Sequence, residues 1–448
     1  MSRLFGTDGV RGIAGKDLTP ELAFKLGQAG AYVLTGATFK PKILIGRDTR
    51  ISGYMIEAAL TAGICSVGAQ AVILGVVPTA CVAYLAKELN ADAGIMISAS
   101  HNTFEYNGIK FFNQKGFKLS DAIEDKIEEH IRNDNKDIPL VAGADIGRRV
   151  YMKNTVAEYE QLLNSCADER LDGLKIVLDL AQGAASKIAA GIFANLGANV
   201  IPYYDTPDGA NINDFCGSTH PDKLKSLVVE LGADLGLAFD GDADRLIAVD
   251  EHGNIVDGDK ILAILAVDFK KRGLLKKNTL VATVMSNLGL IKAMEANDIK
   301  VLQTKVGDRY VLERMLEDGF NLGGEQSGHI IYLDKSTTGD GLLTGILLCC
   351  CIKRYNTQLS SLGKIVNIMP QVLVNAHVSD KNKFAYEEDE VIQKKIEEIE
   401  NKFKGNGRVL IRPSGTEPFV RVMIEGKELS EIGKNAVDLA KLIEQRLS

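Results

Sequence analysis

Strand-like and helix-like patterns alternate through most of the 448 residues of this chain. Short apolar runs at 43–45, 71–74 and 95–98 are separated by longer helical patterns at 20–34 and 53–67. This alternation predicts α/β layers with largely buried strands. Ligands of open α/β sheets collect beyond the carboxyl ends of the strands, so we look for function in the loops that follow strands.

The length predicts several domains, because single hydrophobic cores stop growing well below 448 residues. We predict three similar α/β/α domains with mixed sheets, at 1–153, 154–255 and 256–367, arranged around one central cleft. From 368 to 448 the order strand, helix, two strands and terminal amphipathic helix predicts a smaller α+β domain. Further predicted strands lie at 175–180, 200–204, 235–239, 280–284, 301–304, 330–332, 409–411 and 420–424, and further helices at 121–132, 260–271 and 390–403.

Composition excludes some classes of protein. A net charge of −7 without a basic stripe argues against a nucleic-acid partner, so any anionic ligand must be held by local clusters. The seven cysteines lack the spacing of a zinc site and favour a reduced, cytoplasmic setting. The N-terminus lacks the apolar core of a signal peptide, and the most apolar run, 342–352, is too short for a bilayer. We expect that run to be a buried helix and the protein to have no membrane partner.

Three aspartates at alternate positions follow the apolar run 235–239. In an extended backbone, Asp240, Asp242 and Asp244 would point the same way and converge on one point. Oxygen ligands of this kind suit a hard cation such as Mg²⁺. The loop opens like a calcium EF-hand, but Arg245 stands where that loop needs Gly, and the flanks are strand-like where an EF-hand needs helices.

A serine, Ser100, leaves the end of an apolar strand inside the sequence Ser-His-Asn, with Lys110 a few residues on. Its position predicts a nucleophile. Taken alone, a turn or cap serine is the better interpretation. Together with the aspartate loop, however, a nucleophilic serine and a metal indicate phosphoryl transfer.

A third loop, Gly-Gly-Glu-Gln-Ser-Gly-His, combines the carboxylate of Glu325, the hydroxyl of Ser327 and the imidazole of His329. This mixture of donors and acceptors suits sugar hydroxyls. His329 is equally well explained as a satisfied buried histidine. Lys305 and Arg309 are cations of nearby loops, and each by itself would be a solvated surface charge.

The fourth loop, Arg-Pro-Ser-Gly-Thr-Glu-Pro, starts at Arg412 after a strand. An Arg fork, a flexible glycine and two hydroxyls form a candidate phosphate cradle. A tight turn with a surface arginine is an equally good interpretation before the other loops are considered. The phosphate loop of ATP-driven kinases and the nucleophile elbow of α/β hydrolases are both absent from the sequence.

These four loops, in this order, resemble those of the α-D-phosphohexomutase superfamily over the full length of the chain. The opening run Phe-Gly-Thr-Asp-Gly-Val-Arg-Gly at 5–12, together with Gln326, resembles members that act on an amino sugar. Relatives acting on mannose or glucose phosphates more often carry Met in place of Gln326. Thr103 stands where the superfamily usually has Pro, which would loosen the serine loop but leaves Ser100 in place.

The resemblance implies an isomerase that carries Ser100 as phosphoserine, with one Mg²⁺ per subunit held between that phosphate and the three aspartates. Phosphoserine would donate to one sugar hydroxyl, giving glucosamine 1,6-bisphosphate as intermediate and activator, which turns over and returns its other phosphate. Arg245 would neutralise charge in flight, and Lys110 or His329 would transfer the proton. Lys110 is preferred for its closeness to Ser100 in sequence.

The resemblance also implies the residues that hold a sugar-phosphate substrate. Ring hydroxyls would be bound in either orientation by the sugar loop, and the phosphate that is not reacting by the small last domain acting as a lid. The implied substrate-binding residues are Glu325, Ser327, Lys305, Arg309, Arg412, Ser414, Gly415, Thr416 and Arg421.

Two other classes of protein remain open: a metal-dependent phosphatase, which would not need a separate phosphate cradle, and a catalytically silent sugar-phosphate sensor. Within the superfamily, a mutase acting on glucose or mannose phosphates is the alternative. A homodimer is compatible with the sequence, which does not fix the oligomeric state or how Ser100 is first phosphorylated.

Overall fold

The computed structural model describes residues 3–6, 8–36, 40–413 and 419–447. The chain forms two compact units: the first comprises residues 1–285 and 297–365, and the second comprises 286–296 and 366–448. Among the described residues, the first unit contains three sheets and the second contains one.

The first sheet has the strand order β1-β5-β4-β2-β3-β6, with β1, β5 and β4 antiparallel and the rest parallel. Its elements are β1 (Val10–Ile13), α1 (Pro20–Thr35), β2 (Lys42–Arg47), α2 (Ser52–Ser66), β3 (Gln70–Val76), α3 (Thr79–Glu88), β4 (Ala93–Ile97), β5 (Tyr106–Asn113), α4 (Asp121–Arg132) and β6 (Arg149–Tyr151). One face packs on α1, α2 and α4, and the other on α3, where Val82 lies against Gly46 and Gly94. The layers are therefore α/β/α.

The second and third sheets are also mixed, with orders β11-β10-β9-β7-β8 and β13-β12-β14-β15. The strands of the second sheet and the helices between them in sequence are α5 (Ala157–Cys166), β7 (Lys175–Asp179), α6 (Ala189–Asn195), β8 (Asn199–Tyr203), α7 (Asp222–Leu231), β9 (Leu235–Phe239), β10 (Leu246–Asp250) and β11 (Ile255–Val256). The strands of the third sheet and the helices that accompany them in sequence are α8 (Gly258–Lys271), β12 (Thr279–Thr283), α9 (Leu288–Ala296), β13 (Lys300–Thr304), α10 (Asp308–Asp318), β14 (Leu322–Gly324), β15 (Ile330–Tyr332), α11 (Gly341–Tyr355) and α12 (Leu359–Gly363). Of these, α9 belongs to the second compact unit.

The second unit has a three-stranded antiparallel sheet of order β16-β18-β17. Its elements are β16 (Gln371–His377), α13 (Glu390–Phe403), β17 (Gly407–Pro413), β18 (Phe419–Gly426) and α14 (Leu429–Leu447). Apolar side chains of α13 and α14 pack on one face of this sheet and form its core. The arrangement is α+β, as predicted.

Local signals start and end the helices. At the start of α1, Thr19 Oγ1 accepts a hydrogen bond from the Leu22 amide, and Pro20 occupies the first turn. Asp257 and Asp340 cap α8 and α11 in the same way. The helix α10 ends at Gly319, whose φ of 70° suits glycine.

The predicted α/β layers are confirmed, and several elements have the predicted bounds, α4, α13, β9 and β15 among them. The apolar run at 342–352 is a buried helix, as expected, and lies within α11. All seven cysteines are free thiols, and only Cys65 is more than marginally exposed. Among the described residues, no helix combines the length and apolarity needed to span a membrane.

Candidate active site

Ser100 lies in the loop between β4 and β5, where it is only 1% exposed. Its φ is 53°, a left-handed backbone that is unusual for a residue other than glycine. Its Oγ donates a hydrogen bond of 2.6 Å to Asp240 Oδ2 and lies 3.2 Å from His101 Nδ1. Strained backbone of this kind clusters at functional sites, where the surrounding structure must hold it in place.

One guanidinium group and one side-chain amide hold the main chain of the Ser100 loop. Arg50 Nη2 donates to the carbonyl oxygens of Ser100 and Asn102, at 3.0 and 2.8 Å. Asn213 Nδ2 donates to the same two oxygens, at 2.9 and 2.8 Å. Arg50 also donates to the Thr103 carbonyl oxygen. The loop is therefore anchored at the position where the sequence lacks the usual proline.

Ser98 supports the loop from below. Its Oγ accepts from the Ser100 amide at 2.9 Å and donates to Asp48 Oδ2 at 2.7 Å. Asp48 is itself paired with the fully buried Arg50, whose Nε lies 2.8 Å from the same oxygen. Ser100 thus sits on a buried network that fixes its main chain while leaving its hydroxyl directed at Asp240.

Asp240, Asp242 and Asp244 lie in the loop between β9 and β10, all three buried. One oxygen from each lies within 4.8 Å of the others. The predicted convergence of the three carboxylates is confirmed. The extended backbone assumed for it is not found, because residues 241–243 form a turn and a bend, with Ala243 at a φ of 57°. The turn, and not strand alternation, therefore brings the three carboxylates together.

The triad fits a hard divalent cation. The Oδ1 atoms of Asp242 and Asp244 are buried and have no hydrogen-bond partner among the described residues, which is costly unless an ion satisfies them. Burial, together with the charges of Asp244 and Asp242, raises the pKa of Asp240 well above its usual range. Mg²⁺ bound by these oxygens and by an oxygen on Ser100 would compensate the repulsion.

Gly241 allows the metal loop and the serine loop to touch. A Cβ added at this residue would lie 2.6 Å from the Ser100 carbonyl oxygen, closer than real Cβ contacts. Only glycine permits this approach of two backbones. The position of Ser100 relative to Asp240 therefore depends on the absence of a side chain between them.

Lys110, on β5, is buried among carboxylates. Its Nζ lies 2.8 Å from Asp242 Oδ2, 3.0 Å from Asp8 Oδ2 and 3.4 Å from Asp244 Oδ2. Burial alone would lower the pKa of Lys110, but the charges of Asp242, Asp8 and Asp244 raise it well above its usual range. Lys110 therefore carries a positive charge in this arrangement.

A cavity of about 440 Å³ opens beside the metal loop and is lined from three of the predicted domains. Charged and ionisable side chains dominate its wall: Arg3, Asp8, Arg11, Asp244, Arg245, Asp308, Glu325 and His329. Such a lining suits a small, highly polar ligand.

The sugar loop connects β14 to β15, and its members point in different directions. Glu325 lines the cavity, and its Oε1 accepts from the Gly307 amide at 3.1 Å. His329 is buried; its Nδ1 lies 3.6 Å from Asp244 Oδ2, and its Nε2 accepts from the Gly339 amide at 3.1 Å. Ser327 is exposed and lies outside the cavity wall.

Gln326 points away from the cavity. Its Nε2 donates to Asp257 Oδ2 at 3.2 Å, so the side chain serves the residue that caps α8. The sequence singled out this amide as the mark of an amino-sugar enzyme. In the structure, the Gln326 amide bonds to Asp257 and does not line the cavity.

The two loop cations of the third domain differ in their surroundings. Lys305 is exposed, next to Val306 of the cavity wall. The guanidinium of Arg309 turns away from the cavity, pairs with Asp121 and Glu124 at the start of α4 and donates to a main-chain carbonyl oxygen. This arrangement does not support the predicted role of Arg309 as a substrate ligand.

In the second unit, Arg412 and Arg421 face each other as register partners of β17 and β18. Burial and the charge of Arg421 lower the pKa of Arg412. Two guanidinium groups so close together favour an anion between or beside them. Ser414, Gly415 and Thr416 of the predicted phosphate cradle lie outside the described residues.

Comparison with known families accounts for nearly the whole chain. The models of the phosphoglucomutase/phosphomannomutase family match in order: alpha/beta/alpha domain I at residues 2–137, domain II at 150–253, domain III at 257–369 and the C-terminal domain at 373–442. The chain belongs to the phosphoglucomutase/phosphomannomutase family. Its three α/β/α domains and its smaller C-terminal domain are those of that family.

Two curated relatives are similar over their full length. The phosphoglucosamine mutase of Acetivibrio thermocellus is 57% identical over 448 residues, covering 100% of both chains. The phosphoglucosamine mutase of Clostridium novyi is 55% identical over 446 residues, covering 100% of this chain and 99% of the other. The similarity therefore extends through all four domains.

Solved structures of the phosphoglucomutase/phosphomannomutase fold also match. A family protein from Burkholderia thailandensis superposes with a TM-score of 0.80 at 24% identity, covering 98% of both chains. The N-acetylphosphoglucosamine mutase of Aspergillus fumigatus, solved in complex with GlcNAc-6P and magnesium, gives 0.70 at 16% identity, covering 99% of this chain and 96% of the other. At these identities the likeness concerns the fold alone.

The structure of this family member also brings in residues that the sequence did not single out. Thr79, at the start of α3, donates from its Oγ1 to Asp242 Oδ2 at 2.5 Å. Asp8 pairs with Arg11. His101 lies beside Ser100, and burial together with the charges of Arg245 and Arg11 lowers its pKa to about 4, so it is neutral near pH 7.

Proposed function

We propose that this chain is a phosphoglucosamine mutase, an isomerase that interconverts glucosamine 6-phosphate and glucosamine 1-phosphate and so supplies UDP-N-acetylglucosamine synthesis. The name of its full-length relatives supports the substrate. The observation that carries the mechanism is the contact of 2.6 Å between the Ser100 hydroxyl and Asp240, inside a buried carboxylate triad.

In this mechanism Ser100 is phosphorylated and donates its phosphoryl group to one hydroxyl of the substrate. The resulting glucosamine 1,6-bisphosphate turns over in the cavity and returns its other phosphate to Ser100. Arg245, whose Nε lies 3.8 Å from Asp244 Oδ1, faces the cavity and neutralises charge on the moving group. One Mg²⁺ per chain, held by the triad, would add to this neutralisation.

Lys110 and His329 are the proposed proton carriers. Because Lys110 holds its proton among three carboxylates, it acts as an acid in this arrangement. To accept the proton of a sugar hydroxyl, it would first have to pass its own to one of those carboxylates. His329 lines the cavity, and its Nε2 accepts from the Gly339 amide, so the proposed proton exchange would go through Nδ1.

Glu325 is proposed to hold ring hydroxyls from the cavity wall. Ser327 and Lys305, both exposed and outside that wall, are proposed to contribute further contacts to the substrate. Arg412 and Arg421, with the loop 414–416, are proposed to bind the phosphate that is not reacting. With the predicted domain boundaries at 153, 255 and 367, each domain contributes one of the four loops: the serine, metal, sugar and phosphate loops. Closure of the small last domain, the implied lid, would protect phosphoserine from hydrolysis.

Conversion of glucosamine 6-phosphate can be followed by ³¹P NMR with Mg²⁺ and a trace of the bisphosphate. We expect Ser100→Ala to lower turnover by more than about a hundredfold and to remove a protein species heavier by one phosphate in intact-mass spectra. Ser165→Ala, a matched change at an exposed serine, should change neither.

Two results would contradict the proposed reaction, and a third would contradict the proposed substrate. Full activity of Ser100→Ala would remove the serine from the mechanism. Release of inorganic phosphate in place of an isomer would make the protein a phosphatase. Equal or faster turnover of glucose or mannose 6-phosphate would keep the mechanism but change the substrate.

We also propose a cytoplasmic setting, which the seven free thiols favour. A homodimer remains compatible with the sequence. Light scattering on the purified protein would decide the oligomeric state.

A further inference from the structure

Lys118 joins two carboxylates at the cavity wall. Its Nζ contacts Asp8 Oδ1, in the loop before β1, and Asp308 Oδ2, at the first residue of α10. The lysine side chain is 9% exposed, whereas both aspartates line the cavity. We call these three residues the Lys118 bridge. The proposed mechanism gives it no role.

The two carboxylates of the bridge are not equally compensated. Asp8 contacts three cations: Arg11, Lys110 and Lys118. Among the described residues, Lys118 is the one lysine or arginine that pairs with Asp308. The remaining contacts of Asp308 are the amide of the next residue, 2.8 Å from Oδ1, and His329 Nε2, 3.3 Å from Oδ2. That imidazole nitrogen accepts from the Gly339 amide, so it donates no hydrogen bond to Asp308. Burial would raise the pKa of Asp308, but the charges of Lys118 and His329 lower it.

A carboxylate of this kind is unexpected in a cavity that receives a sugar phosphate. The ligand is an anion, and each uncompensated negative charge on the wall would weaken its binding. An amino sugar changes this balance, because it carries an ammonium group at C2. A carboxylate that accepts from an ammonium forms a charge-assisted hydrogen bond, about twice as strong as a neutral one.

We propose that Asp308 is the specificity-determining residue of this site and that its carboxylate accepts a hydrogen bond from the 2-ammonium of the substrate. This inference rests on the proposed function. Among the described residues, Oδ1 accepts from the Arg309 amide alone and retains acceptor capacity. Asp308 lines the same cavity as Glu325. Gln326, the amide suggested by the sequence, is engaged with the cap of α8.

The test compares kcat/KM for glucosamine 6-phosphate with that for glucose 6-phosphate and 2-deoxyglucose 6-phosphate, in the unmodified enzyme and in Asp308→Asn. Asparagine keeps the size of the side chain and an oxygen for the amide of the next residue, but removes the charge. We expect the preference for the amino sugar to fall about tenfold or more, with a much smaller fall on the two neutral sugars.

Two further variants guard the conclusion. Asp308→Ser, which suits a helix start, should show the same change in preference if the asparagine variant folds poorly. Glu317→Gln, on the exposed side of the same helix, should leave the preference unchanged.

An equal fall on all three sugars, or an unchanged preference, would overturn the inference and leave Asp308 a structural residue. An unmodified enzyme that isomerises glucosamine 6-phosphate no better than the neutral sugars would instead overturn the proposed substrate. The two failures are therefore distinguishable.

Discussion

At the scale of single residues, the three aspartates of the metal loop have different partners. Asp240 accepts from Ser100, Asp242 from Thr79 and Lys110, and Asp244 from Lys110 at a longer distance. Burial would raise the pKa of Asp244, but Lys110 and His329 outweigh it and hold this pKa well below its usual range. The triad is therefore asymmetric even though its sequence is a simple alternation.

Removing one charge from the triad should weaken its hold on a divalent cation, because the ion must be held against its hydration shell. We expect Asp242→Asn to lower activity by about a hundredfold at low Mg²⁺ and to shift the Mg²⁺ titration to higher concentration. Calorimetric titration of Mg²⁺ measures the binding directly. Asp205→Asn, at an exposed aspartate, is the matched control. An enzyme fully active after treatment with a chelator would refute the metal assignment.

At the scale of elements, the turn between β9 and β10 and the loop between β4 and β5 depend on each other. Gly241 lets them approach, and Asn213, from the loop before α7, holds the serine side by two carbonyl oxygens. The catalytic geometry is therefore set by contact between two domains of the first compact unit.

Adding one methyl group at this contact should disturb it. Gly241→Ala would force the Ser100 loop away from the triad, and we expect activity to fall by about a hundredfold, since small misplacements have effects of that size. Gly191→Ala, in α6, meets nothing within 4 Å and should raise the free energy of unfolding by about 0.5–1 kcal/mol with activity unchanged. Assays and urea unfolding of both variants test this; similar activities in the two would contradict it.

Asp179, at the end of β7, couples pH to stability. Burial raises its pKa from 3.8 to about 6, although the Gly217 and Ala181 amides donate to it. Because the folded pKa exceeds the unfolded one, its contribution to stability is fully present below 3.8 and is lost as pH rises through about 6. We expect up to about 3 kcal/mol of the free energy of unfolding to disappear over this window.

Urea unfolding of the protein and of Asp179→Asn between pH 4 and 7 measures this effect. The variant should show a flatter dependence of stability on pH, whatever its absolute stability. Parallel curves for the two proteins would show that Asp179 does not titrate in this window.

At the scale of the whole molecule, the helix α9 belongs to the second compact unit, although its neighbours in sequence, β12 and β13, belong to the first. Within the second unit, the buried Glu425 of β18 accepts from Asn287 Nδ2 at 3.0 Å and from the Leu288 amide at 3.3 Å. It also pairs with Arg408. One carboxylate thus ties the start of α9 to the sheet.

Loss of that carboxylate should loosen α9. We expect Glu425→Ala to raise amide hydrogen exchange in 288–296 by about tenfold or more, because a buried hydrogen-bonded charge is removed and Arg408 is left unpaired. Exchange in α8 should not change. Glu397→Ala, at an exposed position of α13, is the control; equal protection of α9 in both variants would contradict the prediction.

Local pattern predicts those elements whose signals are contained in their own sequence. The helices α4 and α13 have strong amphipathic periods, and β9 is a continuous apolar run. By contrast, β5 follows the serine loop directly and reads as its continuation. It becomes a strand by pairing with β1 and β4, which no local signal reports.

The same distinction holds for the candidate site. Ser100 and the aspartates could be predicted because each lies in a loop whose residue types carry the chemistry. Arg50 could not, because its function comes from carbonyl oxygens some fifty positions away. The direction of Arg309 is likewise decided by Asp121 and Glu124, on a helix of another domain. Sequence gives the type of a side chain but not its distant partners.

The left-handed backbone of Ser100 has an evolutionary consequence. A non-glycine residue in this conformation costs on the order of 1 kcal/mol, which glycine would avoid. Selection for a sturdier protein alone would therefore drift toward glycine at this position and lose the hydroxyl. Keeping serine at this position therefore requires selection for catalytic turnover, because stability alone favours glycine at position 100 whereas activity requires the hydroxyl.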